Sequence, residues 1–206
     1  MDDYKGLLSK VDAWYRSVKE RHPDRVPCVK GCRDCCIGLF DVTLADRDLL
    51  CEGLAAADPE VRKDIEARAA ALTARLRELA PDLGDTLDGW STEDIDDLCD
   101  AAGDVECPVL GREGECRLYA HRPLTCRMSG VPVVDLSGNP VFPEGCAKCT
   151  LKPADAPRLD CDRLSRQERK ILKARYPHQS GVTLFIAQAL EDSTQRHKGT
   201  KETIKT

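Results

Sequence analysis

Apolar side chains recur three or four residues apart through the first part of the chain, which is the period of an amphipathic helix. One such helix is predicted from Asp2 to Arg21. Its apolar positions are Tyr4, Leu7, Leu8, Val11, Trp14, Tyr15 and Val18. The helix is predicted to end at His22, because the residue before Pro23 is held out of the helical conformation.

Capping residues mark the starts of further helices. Thr43 and Ser91 each precede an aspartate by three residues, which is the spacing of a capping box. Asp58 and Pro59 supply an N-cap and a first-turn proline for another helix. The helices predicted from these and similar patterns cover about 44–57, 59–80, 92–102, 163–175 and 182–191.

After Val105 the pattern changes to short apolar runs separated by turn residues, which predicts two small hairpins at about 107–119 and 131–142. The expected fold class is therefore mainly α, a helical frame with a Cys-rich irregular lobe that contains small β-hairpins. The expected domains are a helical frame plus cysteine-cluster metal-binding domain at 1–161 and a C-terminal helical extension packed on it at 162–197. A disordered tail is expected at 198–206.

Composition and charge argue against several classes of protein. The 206 residues carry a net charge of −5 and only 4% aromatic side chains, so neither nucleic acid nor an anionic membrane is an expected partner. The most apolar stretch, Val182–Leu190, is too short to cross a bilayer. The first residues lack the basic and apolar segments of a secretory signal, which predicts a cytoplasmic protein. No protein partner is indicated.

The predicted compartment decides how the 12 cysteines are interpreted. In a reducing cytoplasm thiols stay free, and their clustering then indicates metal binding or redox chemistry instead of a disulfide framework. Cys51 and Cys99 fall on apolar faces of predicted helices, so they are expected to be small buried residues.

The strongest chemical pattern is a group of four thiols spaced C-x3-C-x2-C-C, made by Cys28, Cys32, Cys35 and Cys36. No single helix or strand face presents all four to one core, whereas a tight loop through Gly31 can aim them at a common point. Thiolates select zinc, copper(I) or iron–sulfur centres. Lys30 and Arg33 lie nearby and favour the thiolate form. This pattern predicts a metal site.

Six further cysteines lie in the second half, at Cys107, Cys116, Cys126, Cys146, Cys149 and Cys161. Cys146 and Cys149 have the C-x2-C spacing that is usual in a metal knuckle. The pattern leaves open whether Cys161 is a ligand.

Together these motifs resemble the bacterial YkgJ cysteine-cluster family, a zinc- or iron-chelating domain that also occurs as a module of flagellin lysine methylases. The resemblance is carried by the first cluster, by Cys107-Pro108-x-Leu110, and by the segment Cys116-x-Leu118-Tyr119-x-x-Arg122-Pro123-x-x-Cys126-Arg127. It implies that the shared ligands are Cys28, Cys32, Cys35, Cys36, Cys107, Cys116 and Cys126, with Cys146 or Cys149 as an eighth. Arg122 and Arg127 flank the turn that presents Cys126, so they are predicted to donate hydrogen bonds to sulfur.

The identity of the metal stays open at this point. Eight thiolates suit two zinc ions, two 4Fe–4S clusters, or one of each. The C-x3-C-x2-C spacing of the first three cysteines resembles that of radical S-adenosylmethionine enzymes and favours an iron–sulfur cluster. The alternating strands and helices of those enzymes are not predicted here, and Cys36 can close the cluster. A structural or redox role is therefore favoured, with a zinc module and an S-adenosylmethionine-dependent methyl-transfer enzyme as alternatives.

Overall fold

A computed structural model describes residues 1–29, 31–142 and 146–191. Its helices confirm the mainly α fold class. They run, in chain order, as α1 (Asp2–Arg21), α2 (Leu44–Ala56), α3 (Pro59–Leu79), α4 (Thr92–Ala102), α5 (Leu124–Met128) and α6 (Cys161–Arg175), followed by helical residues 186–191. The predicted tail at 198–206 lies outside the described residues.

Short strands form two antiparallel pairs among the described residues. β1 (Asp41–Thr43) pairs with β4 (Thr183–Phe185), and β2 (Val133–Val134) pairs with β3 (Pro140–Phe142). The second pair confirms the hairpin predicted at 131–142. The hairpin predicted at 107–119 is reduced to one bridge between Leu110 and Cys116. The helix predicted from Val182 was wrong in its first turn, because β4 occupies that stretch.

The backbone contacts divide the chain into two compact units, and the first, unit 1, contains residues 1–35 and 124–180. Its frame is α1, which packs against α5 and α6. The indole of Trp14 on α1 donates a hydrogen bond to the carbonyl of Pro157 at 3.0 Å. Arg127 on α5 is buried and forms an ion pair with the carboxylate of Asp12 on α1. These contacts fix α1 beside the later cysteine loops of the same unit.

Unit 2 contains residues 36–123 and the described residues from Gly181 onward. Its helices start as their caps predict, since Thr43 with Asp46 and Ser91 with Asp94 both form complete capping boxes. α3 packs against α4 over an apolar cluster. Its buried members are Leu76, Leu83, Leu87, Leu98, Ala102, Val105 and Phe185. This core supports the loop that carries Cys107.

No helix of the described ranges is both long enough and apolar enough to cross a membrane.

Replacing a glycine inside a helix by alanine usually stabilises a protein, and Gly53 on α2 is expected to be an exception. A Cβ added at Gly53 would lie 2.6 Å from Cγ of His121. Gly53→Ala is therefore expected to destabilise the protein by about 1 kcal/mol, because overpacking outweighs the gain of about 1 kcal/mol in helix propensity. Urea unfolding measures the change.

Gly6 on α1 is the matched control, because a Cβ there meets nothing within 4 Å. Gly6→Ala should stabilise the protein by about 0.5–1 kcal/mol. Equal stabilisation by both substitutions would contradict the close packing at His121.

Candidate metal centre

All 12 cysteines carry free thiols. Across residues 1–29, 31–142 and 146–191, no three His, Cys, Asp or Glu side chains stand close enough together to bind one metal ion directly. The thiols do, however, approach one another within each unit.

Three thiols of unit 1 act electrostatically on the Cys28 thiol, and we call the four together the Cys28 group: Cys28, Cys32, Cys35 and Cys146. Burial raises the pKa of the Cys28 thiol, a hydrogen bond from Tyr15 lowers it, and the charges of the three other thiols raise it again. A thiolate that accepts a hydrogen bond and faces other thiolates is a good ligand for a soft cation. The donor set of this group therefore fits a zinc or iron centre.

Helix α1 holds the loop that carries Cys28. Lys19, one turn after Tyr15 on α1, donates from Nζ to the backbone carbonyl of Cys28 at 2.7 Å. The chain then turns at Gly31, whose φ of 89° confirms the predicted need for glycine. Lys30, expected to favour the thiolate form, lies outside the described residues. The turn places Cys32 after Gly31 with its N–H bonded to the carbonyl of Val29 at 3.0 Å.

The second C-x2-C turn of unit 1, Cys146–Cys149, is fixed by its backbone. The N–H of Cys146 donates to the carbonyl of Gly130 at 3.3 Å, and that of Cys149 donates to the carbonyl of Cys146 at 2.8 Å. Burial raises the pKa of the Cys149 thiol, and a backbone hydrogen bond from Leu151 lowers it. The charges of the Cys146 and Cys28 thiols raise this pKa as well. Cys149 therefore borders the Cys28 group.

Three further thiols belong to unit 2, and we call them the Cys107 group: Cys36, Cys107 and Cys116. The N–H of Cys107 donates to the carbonyl of Cys36 at 2.9 Å. Burial raises the pKa of the Cys107 thiol to about 11, and the nearby Cys116 thiol also raises it. Backbone N–H groups of Val109 and Leu110 lower it by donating to the sulfur. Such donors stabilise a sulfur that carries negative charge.

The remaining predicted residues occupy other positions. Cys126 lies on α5 of unit 1. Cys161 is the first residue of α6, where burial and the carboxylate of Asp135 raise the pKa of its thiol. Cys51 donates to the carbonyl of Ala189 at 3.6 Å, and Cys99 packs against the apolar cluster of unit 2. Both are partly exposed rather than fully buried.

The two arginines predicted to bond to sulfur have other contacts. Arg122 stacks its guanidinium 3.7 Å from the ring centroid of Tyr119 and donates to that residue's carbonyl at 3.2 Å. Arg127 forms the ion pair with Asp12 described above. Their role toward sulfur stays a prediction.

Sequence reasoning did not assign Tyr15, Asp34 or Lys148 to the site. Tyr15 belongs to the apolar series of α1, so periodicity alone assigned it to the core. Asp34 and Lys148 occupy the same place in the two C-x2-C turns, directly before the last cysteine, and carry opposite charges. Their ion pair measures 2.8 Å between Lys148 Nζ and Asp34 Oδ1. This charge complementarity was visible in the sequence.

Reduced thiols gathered by loops, with hydrogen-bond donors on their sulfurs, define the class of thiolate metal-binding proteins. The model of the CxxCxxCC family, described as "Putative zinc- or iron-chelating domain", matches residues 27–147. The match covers more than half of the chain, and the protein belongs to this family. It spans both thiol groups and Cys126, and it ends before Cys149 and Cys161. Comparisons with curated proteins and with solved structures give no match.

Proposed function

We propose that this protein binds an iron–sulfur cluster of the 4Fe–4S type through the Cys28 group, in a structural or redox role. The observation that carries the proposal is the electrostatic effect of three other free thiols, from two separate loops, on the Cys28 sulfur. Four thiolates complete the ligand set of one cluster. Family membership supports a bound metal, and the ligand set and the kind of centre are the proposed part.

The hydrogen bond from Tyr15 to the Cys28 sulfur suits a metal-bound thiolate at either kind of centre. The spacing of Cys28, Cys32 and Cys35 is the feature that favours a cluster over a zinc ion. A zinc-binding structural module is the alternative, because four thiolates also complete a tetrahedral zinc site.

The Cys107 group is proposed to bind metal as well. Cys107 and Cys116 lie close together, and the peptide N–H groups aimed at the Cys107 sulfur suit a metal-bound thiolate. Cys126, which belongs to unit 1, is proposed separately as a metal ligand because it lies inside the family match. Of the two candidates for an eighth ligand, Cys146 is preferred, since the match ends between it and Cys149.

A closed cluster argues against the enzyme alternative. A cluster that binds S-adenosylmethionine keeps one iron without a protein ligand, and Cys146, whose charge acts on the Cys28 thiol, is the residue proposed to fill that position. We therefore propose that S-adenosylmethionine leaves the paramagnetic spectrum of the reduced cluster unchanged. A shifted spectrum would favour the methyl-transfer enzyme instead.

Anaerobic purification followed by metal and sulfide analysis tests the proposal. The expected product is brown and contains about four iron atoms and four acid-labile sulfides for each cluster bound. Zinc in the absence of acid-labile sulfide would contradict the cluster and support the zinc-binding structural module. A protein that holds neither metal, even after reconstitution with iron and sulfide, would overturn metal binding by these thiols.

A further inference from the structure

An ion pair joins the two C-x2-C turns of unit 1. The first turn is Cys32–Cys35 and the second is Cys146–Cys149. The ammonium of Lys148 lies 2.8 Å from the carboxylate of Asp34, across 114 residues of sequence. Each charged residue stands inside its turn, flanked by the cysteines. The pair therefore connects the two loops at the place where their thiols approach.

The energetics of this pair give a reason to look beyond general stability. The side chains of Asp34 and Lys148 are 33% and 58% exposed. An ion pair this open to water contributes little to the stability of the fold. Because the pair lies between two turns that carry proposed ligands, it affects the relative positions of their thiols.

The signs of the two charges separate two explanations of the pair. Lys148 lies near the thiols of Cys32 and Cys146, so its positive charge offsets thiolate charge directly. Asp34 adds a negative charge at the same place, which opposes thiolate formation. Charge compensation alone therefore accounts for the lysine and not for the aspartate. Positioning of one turn against the other accounts for both.

We propose that the Asp34–Lys148 ion pair is a positioning contact that holds the two C-x2-C turns in the arrangement needed to bind metal. Both are positioning residues and neither is a ligand. The inference rests on the proposed function, since it concerns thiols proposed to bind metal. It adds Asp34 and Lys148, and a defined contact between two loops, to the cysteines and arginines expected at this site.

The test measures how fast the metal-loaded, full-length protein loses metal to a competing chelator. The variants are Asp34→Asn, Lys148→Gln, the double substitution, and the charge swap Asp34→Lys with Lys148→Asp. At low ionic strength each single substitution should speed metal loss about two- to fivefold, the size expected of one exposed ion pair. The double substitution should cost no more than one single, and the swap should restore most of the retention. High salt should shrink every difference.

The direction of the Asp34→Asn effect is decisive. If Lys148 acts only by offsetting thiolate charge, removing the nearby carboxylate slows metal loss, and that result would overturn the proposal. Failure of the charge swap to recover retention would overturn it as well.

Asp155→Asn is the matched control. It removes a similarly exposed ion pair with Arg25 in the same unit, at 2.6 Å, and should leave metal retention unchanged. Failure of the proposed function would look different, because the unsubstituted protein would then hold no metal.

Discussion

Replacing Cys35 by serine is expected to remove most of the bound metal and to lower the solubility of the protein, and Cys32→Ser should do the same. A serine hydroxyl is a hard and weakly acidic group, so it does not replace a thiolate on zinc or on an iron–sulfur cluster. Binding of a structural thiolate metal contributes on the order of 10 kcal/mol to folding, and the loops of unit 1 lose that support. Metal per chain after identical purification measures the first effect, and the soluble fraction measures the second.

Cys51→Ala and Cys99→Ala are the controls for these variants. Cys51 bonds to a backbone carbonyl and Cys99 packs on the apolar cluster of unit 2, so neither is placed among the proposed ligands. Both variants should keep the full metal content. Full loading of Cys32→Ser or Cys35→Ser would contradict the ligand assignment.

Leu76→Ala should produce the largest loss of stability outside the metal centre. Leu76 is fully buried, at 0% exposure, in the cluster between α3 and α4. Truncation of a buried leucine costs about 2–5 kcal/mol, because apolar contacts are lost and a cavity remains. The midpoint and slope of urea unfolding measure the change. The metal should first be confirmed as retained, so that the two contributions stay separate.

Leu79 on the same helix provides the comparison. Its side chain is 43% exposed, so Leu79→Ala should cost less than about 1 kcal/mol. Similar losses at Leu76 and Leu79 would show that the cluster between α3 and α4 is not the core of unit 2.

The features that the sequence predicted correctly are those encoded within a few residues. The boxes at Thr43 and Ser91 depend on an aspartate three positions later, and α1 depends on a regular apolar spacing. Gly31 adopts a positive φ, as a tight turn between cysteines requires. Each of these signals lies inside one turn or one helix, so a local pattern determines the outcome.

The features that the sequence did not predict depend on partners far away in the chain. β1 and β4 pair Val42 with Leu184, and three-residue strands leave no alternation to detect. Leu184 and Phe185 stand in an apolar run that continues into helical residues, so the whole run was assigned to a helix. At 107–119 the sequence predicted the turn correctly, but the two strands do not form. Backbone N–H groups there donate to the carbonyl of Cys36 and to the Cys107 sulfur instead of to a partner strand.

The candidate site shows the same difference between features set by local sequence and features that depend on distant residues. The cysteine spacing predicted a metal-binding domain, which the family match over residues 27–147 confirms, whereas the ligand set stays a prediction. It did not predict the bond from Tyr15 on α1, or that Asp34 would meet Lys148. Both contacts depend on how separate segments of unit 1 fold together.

The discontinuous make-up of unit 1 has a consequence for biosynthesis. The ribosome makes Cys28, Cys32 and Cys35 roughly a hundred residues before Cys146. At ordinary rates of translation the gap lasts roughly 5–20 s. During that interval the nascent chain exposes reactive thiols without their later partner, open to oxidation or to adventitious metal. On the proposed ligand set, correct loading waits for a nearly finished polypeptide, so growth under metal limitation or oxidative stress should harm newly made chains before mature ones.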